Sequence, residues 1–219
     1  MQSLTKEELY DLARNLLTKD NREESLEPYV LLYEKDPENL EARFFSYYWA
    51  YKGFFDERDY TNTPKMLVKI IDSAAEAIRY IKLGEEDEDE KKFVAREIVD
   101  IYLSVVGFFV NRGEYVVAGI RGLYDLGDVI EAEFTGDCEY MKLVTELWKK
   151  AVGFHNERWQ SPIQKKMEDY VEKIQKADPS YVPPKAPLDK KMSDGVEKGL
   201  KKSFGALKKL MNNIDSKIK

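Results

Sequence analysis

The chain has 219 residues, 35 of them basic and 41 acidic, and its net charge of −6 argues against a nucleic-acid binder that works through its whole surface. Its one cysteine, Cys138, excludes an internal disulfide framework and a cysteine-rich zinc site, and points to a reducing, cytoplasmic setting. The charge is uneven: ten lysines against four acids give residues 185–219 a net +6, which leaves −12 for residues 1–184.

The first residues, MQSLTKEELYDL, carry charges where an export signal needs an apolar core. Residues 4–18 place Leu9, Leu12, Ala13 and Leu16 at three- and four-residue steps, and Thr5 with Glu8 forms a capping-box pattern, so the spacing predicts a first amphipathic helix. After the polar turn KDNREE, a second helix runs to about Lys35 with Leu26, Tyr29, Leu32 and Tyr33 on one face. Pro28 is comfortable only in a first turn, so this helix either begins near Ser25 or is kinked. Asp36-Pro37-Glu38-Asn39 is a turn, because Pro37 cannot continue a helix and Asn39 can cap the next. A third helix, dense in aromatics, is expected from about Leu40 to Lys52, ended by Gly53.

Thr63-Pro64 opens a helix to about Leu83, with Leu67, Ile70, Ile71, Ala74, Ala77, Ile78 and Ile81 inward, and Gly84 ends it. The acid run Glu85 to Glu90 reads as a solvated loop, and without spaced ligands or a central glycine it is no calcium loop. Helices follow over about 91–111 and 114–134. In the first, the run IYLSVVGFFV (101–110) is half the roughly 20 residues that span a bilayer, so it is a buried helix and no membrane span is expected. In the second, Gly119, Gly122 and Gly127 each cost up to ~1 kcal/mol against alanine, and they signal close helix contact or a break near Gly127. Two more helices, 137–155 and 163–176, are separated by Ser161-Pro162. Residues 178–190 form a proline-rich linker. Beyond it Val196, Leu200, Phe204, Leu207, Met211, Ile214 and Ile218 recur at steps of three and four, which predicts a basic amphipathic helix over 191–219.

The first helices resemble the tetratricopeptide repeat, a 34-residue helix-turn-helix unit. Leu12, Ala13 and Leu16 match small and apolar positions of the unit's first helix, and Ser25 and Tyr29 match the small and aromatic positions of its second. Pro37 falls where the closing proline belongs, and Asn39-Leu40-Glu41-Ala42 is similar to the start of the next unit. Leu9 and Arg43 stand where tryptophan is favoured, Leu32 replaces a small residue, and the match covers residues 6–53. The fold class this implies is all-α: a tetratricopeptide-like stack of antiparallel helical hairpins over residues 1–177, followed by the linker and the C-terminal amphipathic helix. Residues 123–181, with LYDLGDVIEAEF, ELWKKAVGFHN and VEKIQKADPSY, resemble the helical region of uncharacterised bacterial proteins that often carry an N-terminal zinc ribbon. The chain has no CxxC pair for such a ribbon, and the resemblance implies a bacterial helical protein without assigning an activity.

Motifs for chemistry are sparse. His155, the single histidine, stands two residues from Glu157, and on a helix the two diverge. Cys138 near a helix start could have a lowered thiol pKa, but a partly buried cysteine is the simpler reading. No GxxxxGK[ST] or GxGxxG loop is present, and neither a cofactor nor a metal is expected.

In tetratricopeptide arrays the first helix of each unit lines the concave groove. The resemblance therefore implies a partner-binding set of Tyr10, Arg14, Glu41, Phe44, Tyr48, Tyr51 and Lys52, with Glu7, Leu17 and Thr18 beside them. The aromatics suit recognition of a protein or peptide, although packing against the helix at 63–83 would also account for them. The expectation is a non-enzymatic interaction scaffold. Two alternatives stand beside it: an enzyme with a pocket near His155, and a chain that meets anionic membrane or nucleic acid through its basic C-terminal helix. That helix could also join two copies; its charge, opposite to the body's, favours docking on the body near the 85–90 acids.

Overall fold

The computed structural model describes residues 1, 3–154 and 161–183, and His155, most of the linker and the basic C-terminal segment lie outside the described residues. All regular structure among the described residues is α-helical. The eight helices are α1 (Lys6–Thr18), α2 (Arg22–Lys35), α3 (Leu40–Asp56), α4 (Thr63–Leu83), α5 (Glu88–Asn111), α6 (Val116–Glu133), α7 (Cys138–Phe154) and α8 (Ser161–Ala177). None of them is long and apolar enough to cross a membrane.

Local chemistry sets most of the helix starts. Thr5 Oγ1 accepts the Glu8 N–H at 3.2 Å while the Thr5 N–H donates to Glu8 Oε2 at 2.8 Å, a closed capping box on α1. Asn39 Oδ1 accepts the Ala42 N–H at 2.9 Å to start α3. Asp87 Oδ1 takes the N–H groups of Asp89 and Glu90, and so begins α5 three residues before Lys91. Half of the acid run is thus the first turn of a helix, where the macrodipole favours negative charge. The solvated-loop reading is corrected further by Glu86 and Glu90, which bond across to α1.

For α2 the start near Ser25 does not hold, and α3 runs past its expected end. Helix α2 starts at Arg22 and carries Pro28 in its interior. The carbonyl that Pro28 leaves without a donor belongs to the exposed Glu24, where water can satisfy it. Helix α3 runs past Gly53 to Asp56 because the extra turn brings Phe55 onto Tyr51 and Phe108, with ring centroids 5.8 and 5.3 Å away.

Sequence neighbours pack as hairpins through α5, and again from α6 to α8. The α1–α2 hairpin is clasped at its open end by Lys6 and Asp36 at 3.3 Å. Helix α5 is the hub: it touches α1, α4, α6 and α7, and 13 of its 24 residues are buried. One core of buried side chains extends from Leu9 on α1 to Met167 on α8. Helix α6 is continuous through its glycines, so close contact rather than a break explains them. A Cβ on Gly122 would lie 2.1 Å from the Tyr102 hydroxyl, and one on Gly127 would lie 2.4 Å from Trp148 Nε1.

Candidate functional site: a filled groove and an aromatic edge

Along the face shared by α1 and α3, expected to hold a partner, the chain's own α5 makes contact at both ends. At the start of α5, Glu90 Oε1 accepts from Arg14 Nη1 at 3.0 Å. Two turns further on, Glu97 pairs with Arg22. Near its end Phe109 meets Tyr51 edge-on, ring centroids 6.2 Å apart. Tyr10, Arg14 and Glu41 are brought together at the first of these points, while Tyr48, Tyr51 and Lys52 gather at the last.

Arg14 and Glu41 form a bidentate pair, Nε to Oε1 and Nη2 to Oε2, both 2.6 Å, with Glu41 fully buried. Tyr29, also fully buried, donates its hydroxyl to Glu41. The Tyr10 hydroxyl accepts from Arg14 Nη2 at 2.7 Å and donates to Glu86 Oε1 at 2.6 Å. Burial, followed by the Glu41 charge, pushes the Tyr10 and Tyr29 phenols up. Burial alone would lower the Arg14 pKa, but the charge and hydrogen bonds of Glu41 outweigh it and hold it raised. Burial likewise works to raise Glu86, and the Tyr10 hydroxyl, a backbone N–H and Arg14 together hold its carboxyl below the ordinary value.

Beside this cluster a cleft of about 490 Å³ opens to solvent, lined by Tyr10, Arg14, Thr18, Glu86, Glu90 and Phe93 among others. Every shifted group in it is driven further into the protonation state it already has at neutral pH. None is poised to exchange a proton there, which is what general acid–base work requires.

The other end of α3 has a different surface. Tyr48, Tyr51 and Phe55 stack along it, with centroids 6.4 and 5.8 Å apart. Phe55 meets Phe108 edge-on, Phe108 meets Phe109, and Phe109 meets Tyr115 at 6.2 Å. Tyr51 and Phe109 are a buried floor, whereas Phe55, Phe108 and Tyr115 are 41%, 37% and 43% exposed. Burial, then the neighbouring Tyr48, pushes the Tyr51 phenol up to about 12. Lys52 lies 6.0 Å from the Tyr48 ring centre and Arg112 5.4 Å from that of Phe108. Both cations are matched by carboxylates, Lys52 by Glu23 and Arg112 by Glu114.

Tyr115 presents its ring from a left-handed backbone, φ 52°, directly before α6. That conformation costs a bulky residue on the order of 1–2 kcal/mol, and such positions concentrate at binding and catalytic sites.

Of the groove residues named from sequence, Phe44 and Leu17 are fully buried, and Glu7 and Thr18 are exposed on α1. Phe55, Phe108 and Tyr115 were not among them. Phe108 was hidden in a run whose continuous apolarity reads as interior, and Phe55 lay beyond the expected end of its helix. The available signal was the pair of doublets Phe54-Phe55 and Phe108-Phe109, each near a helix end. Cys138 is half-buried, and burial raises its thiol pKa, contrary to the lowering weighed from its position at a helix start. Among the described residues no group of three or more His, Cys, Asp or Glu side chains is placed to hold a metal ion. Comparison with protein-family models, with curated proteins and with solved structures finds no match for this chain.

Proposed function

We propose that the chain is a non-enzymatic, tetratricopeptide-like interaction module of the bacterial cytoplasm. On this reading it docks a protein or peptide on the aromatic edge of Tyr48, Tyr51, Phe55, Phe108 and Tyr115. The observation that carries the reading is the contiguous array of rings, half of it open to solvent, gathered from three separate stretches of chain. Aromatic side chains give large contact area at low entropic cost, which is why they dominate recognition surfaces. The alternation of α1, α2 and α3 supports the repeat-like description. Because α5 contacts both ends of the α1–α3 face and leaves rings open only at one, the reading places the docking surface at that aromatic end.

The test is affinity capture from a lysate of the source cell with the full chain and with two double variants. Phe55→Glu/Phe108→Glu alters the edge, and Asp89→Asn/Glu90→Gln alters the acidic cleft. The edge variant should lose the proteins that the wild-type chain and the cleft variant both retain. Retention of the same proteins by the edge variant would sink the reading.

A further inference from the structure

We propose that the aromatic edge is the seat of the chain's own basic C-terminal segment, residues 191–218. This names an occupant for the surface described above and rests on that reading of it. The edge is an apolar face that nothing among the described residues covers: Phe55, Phe108 and Tyr115 stand over Tyr51 and Phe109. The segment is the complementary piece, with Val196, Leu200, Phe204, Leu207, Met211 and Ile214 at helical spacing and lysines between.

Reach and charge both fit. The described chain leaves at Pro183, just after Tyr181, whose ring centre lies 5.7 Å from Lys142 on α7; Lys142 in turn binds Asp178 at 3.0 Å. Glu146, one turn further along α7, binds Arg96 on α5 at 2.6 Å. From Arg96 to Phe108 is twelve positions of one helix, about 18 Å at ~1.5 Å per residue. Residues 184–190, extended at ~3.1 Å each, cover about 22 Å, and the 28-residue segment beyond them adds ~1.5 Å per residue if helical, so part of it can reach the rings. Seven lysines against three acids give the segment a net +4, opposite in sign to the −12 of residues 1–184, and Asp56 and Glu57, both exposed, directly follow Phe55. Three open rings are small for a stable interface between two copies, which buries on the order of 1,200–2,000 Å², but they suit two or three turns of one helix. A segment tethered this closely acts at an effective concentration on the order of millimolar, enough to hold a weak contact closed.

The experiment uses the full chain, wild type and Phe204→Glu/Leu207→Glu, whose altered residues belong to none of α1 to α8. Hydrogen–deuterium exchange is followed over residues 52–57 and 106–115, together with binding of the dye anilinonaphthalene sulfonate. Exchange and dye binding should both rise several-fold in the variant at these segments, with α7 and α8 unchanged and circular dichroism the same. Equal exchange in both chains overturns the inference. Protection that appears only at concentrations where the mass in solution doubles overturns it in favour of a second copy. No protection, together with Phe204-dependent sedimentation on phosphatidylglycerol vesicles, overturns it in favour of a membrane. If the exchange difference holds while Phe55→Glu/Phe108→Glu still captures the same proteins, the docked segment stands and the partner-binding reading of the edge falls.

Discussion

Helices α3 and α5 meet at two ends, and the two meetings are built from opposite chemistry. At one end, Glu41 and Glu90 close on Arg14, and the phenols of Tyr10 and Tyr29 fill the remaining hydrogen-bonding positions. At the other, Tyr51 and Phe55 meet Phe109 and Phe108 without a charge between them, and half the rings stay wet. A buried ion pair is costly to assemble and costlier to half-assemble, so the polar end holds one geometry or fails. Ring contacts are individually small and tolerant of angle. The contrast separates a fixed joint from a surface still free to accept something.

The difference is open to direct attack. Arg14→Met strands the fully buried Glu41 charge and should cost about 3–5 kcal/mol, seen as a large fall in melting temperature. A fall under about 1 kcal/mol would mean that the polar end is not the fixed joint. Phe108→Ala, at the other end, removes edge contacts from a side chain 37% exposed and should cost only about 0.5–1.5 kcal/mol by denaturant titration. The smallest effect concerns pH. Glu86 is held below its ordinary value of 4.5, so its contribution to stability is present above about pH 4.5 and is lost as pH falls through the lowered folded value. Glu86→Gln should therefore flatten part of the acid-side loss of stability, whereas Phe108→Ala should run parallel to wild type over the same range. A slope unchanged by Glu86→Gln would show that the Tyr10–Glu86 bond carries no linkage.

Most helix positions were legible because their causes are local. Thr5 with Glu8, Asn39, and Pro64 after Thr63 all act within four residues of where they stand, and period and polarity fixed which face of α4 turns inward; on α1 they gave Leu9 and Ala13, while Leu12 and Leu16 are half-buried and Leu17, expected in the groove, is fully buried. The run 101–110 announced a buried helix for the same reason. What the local chain could not carry was the identity of the surface that buries it. The run 101–110 of α5 is apolar nearly all round, so its sequence admits any neighbour, and the helix's contact with α1 rests on pairs such as Arg14 with Glu90, 76 residues apart. The same distance hid the role of the acid run: Glu86 and Glu90 read as solvated until Tyr10 and Arg14 are set against them. Glycine at position 53 signals a stop only when nothing beyond it packs, and Phe55 does pack.

The placement of α5 across α1 and α3 also changes what sort of object unfolds. In a linear array each hairpin touches only its neighbours, so stability is a sum of repeat and interface contributions, and the ends can melt while the middle holds. Here the latch from α5 to α1 closes a loop over α2, α3 and α4, and losing any of these helices loosens the latch as well. The expected behaviour is therefore that of a single cooperative unit, with one transition shared by every spectroscopic probe. Its folding should be slower than helix content alone would suggest, because contacts of long sequence separation must form before the hub is in place.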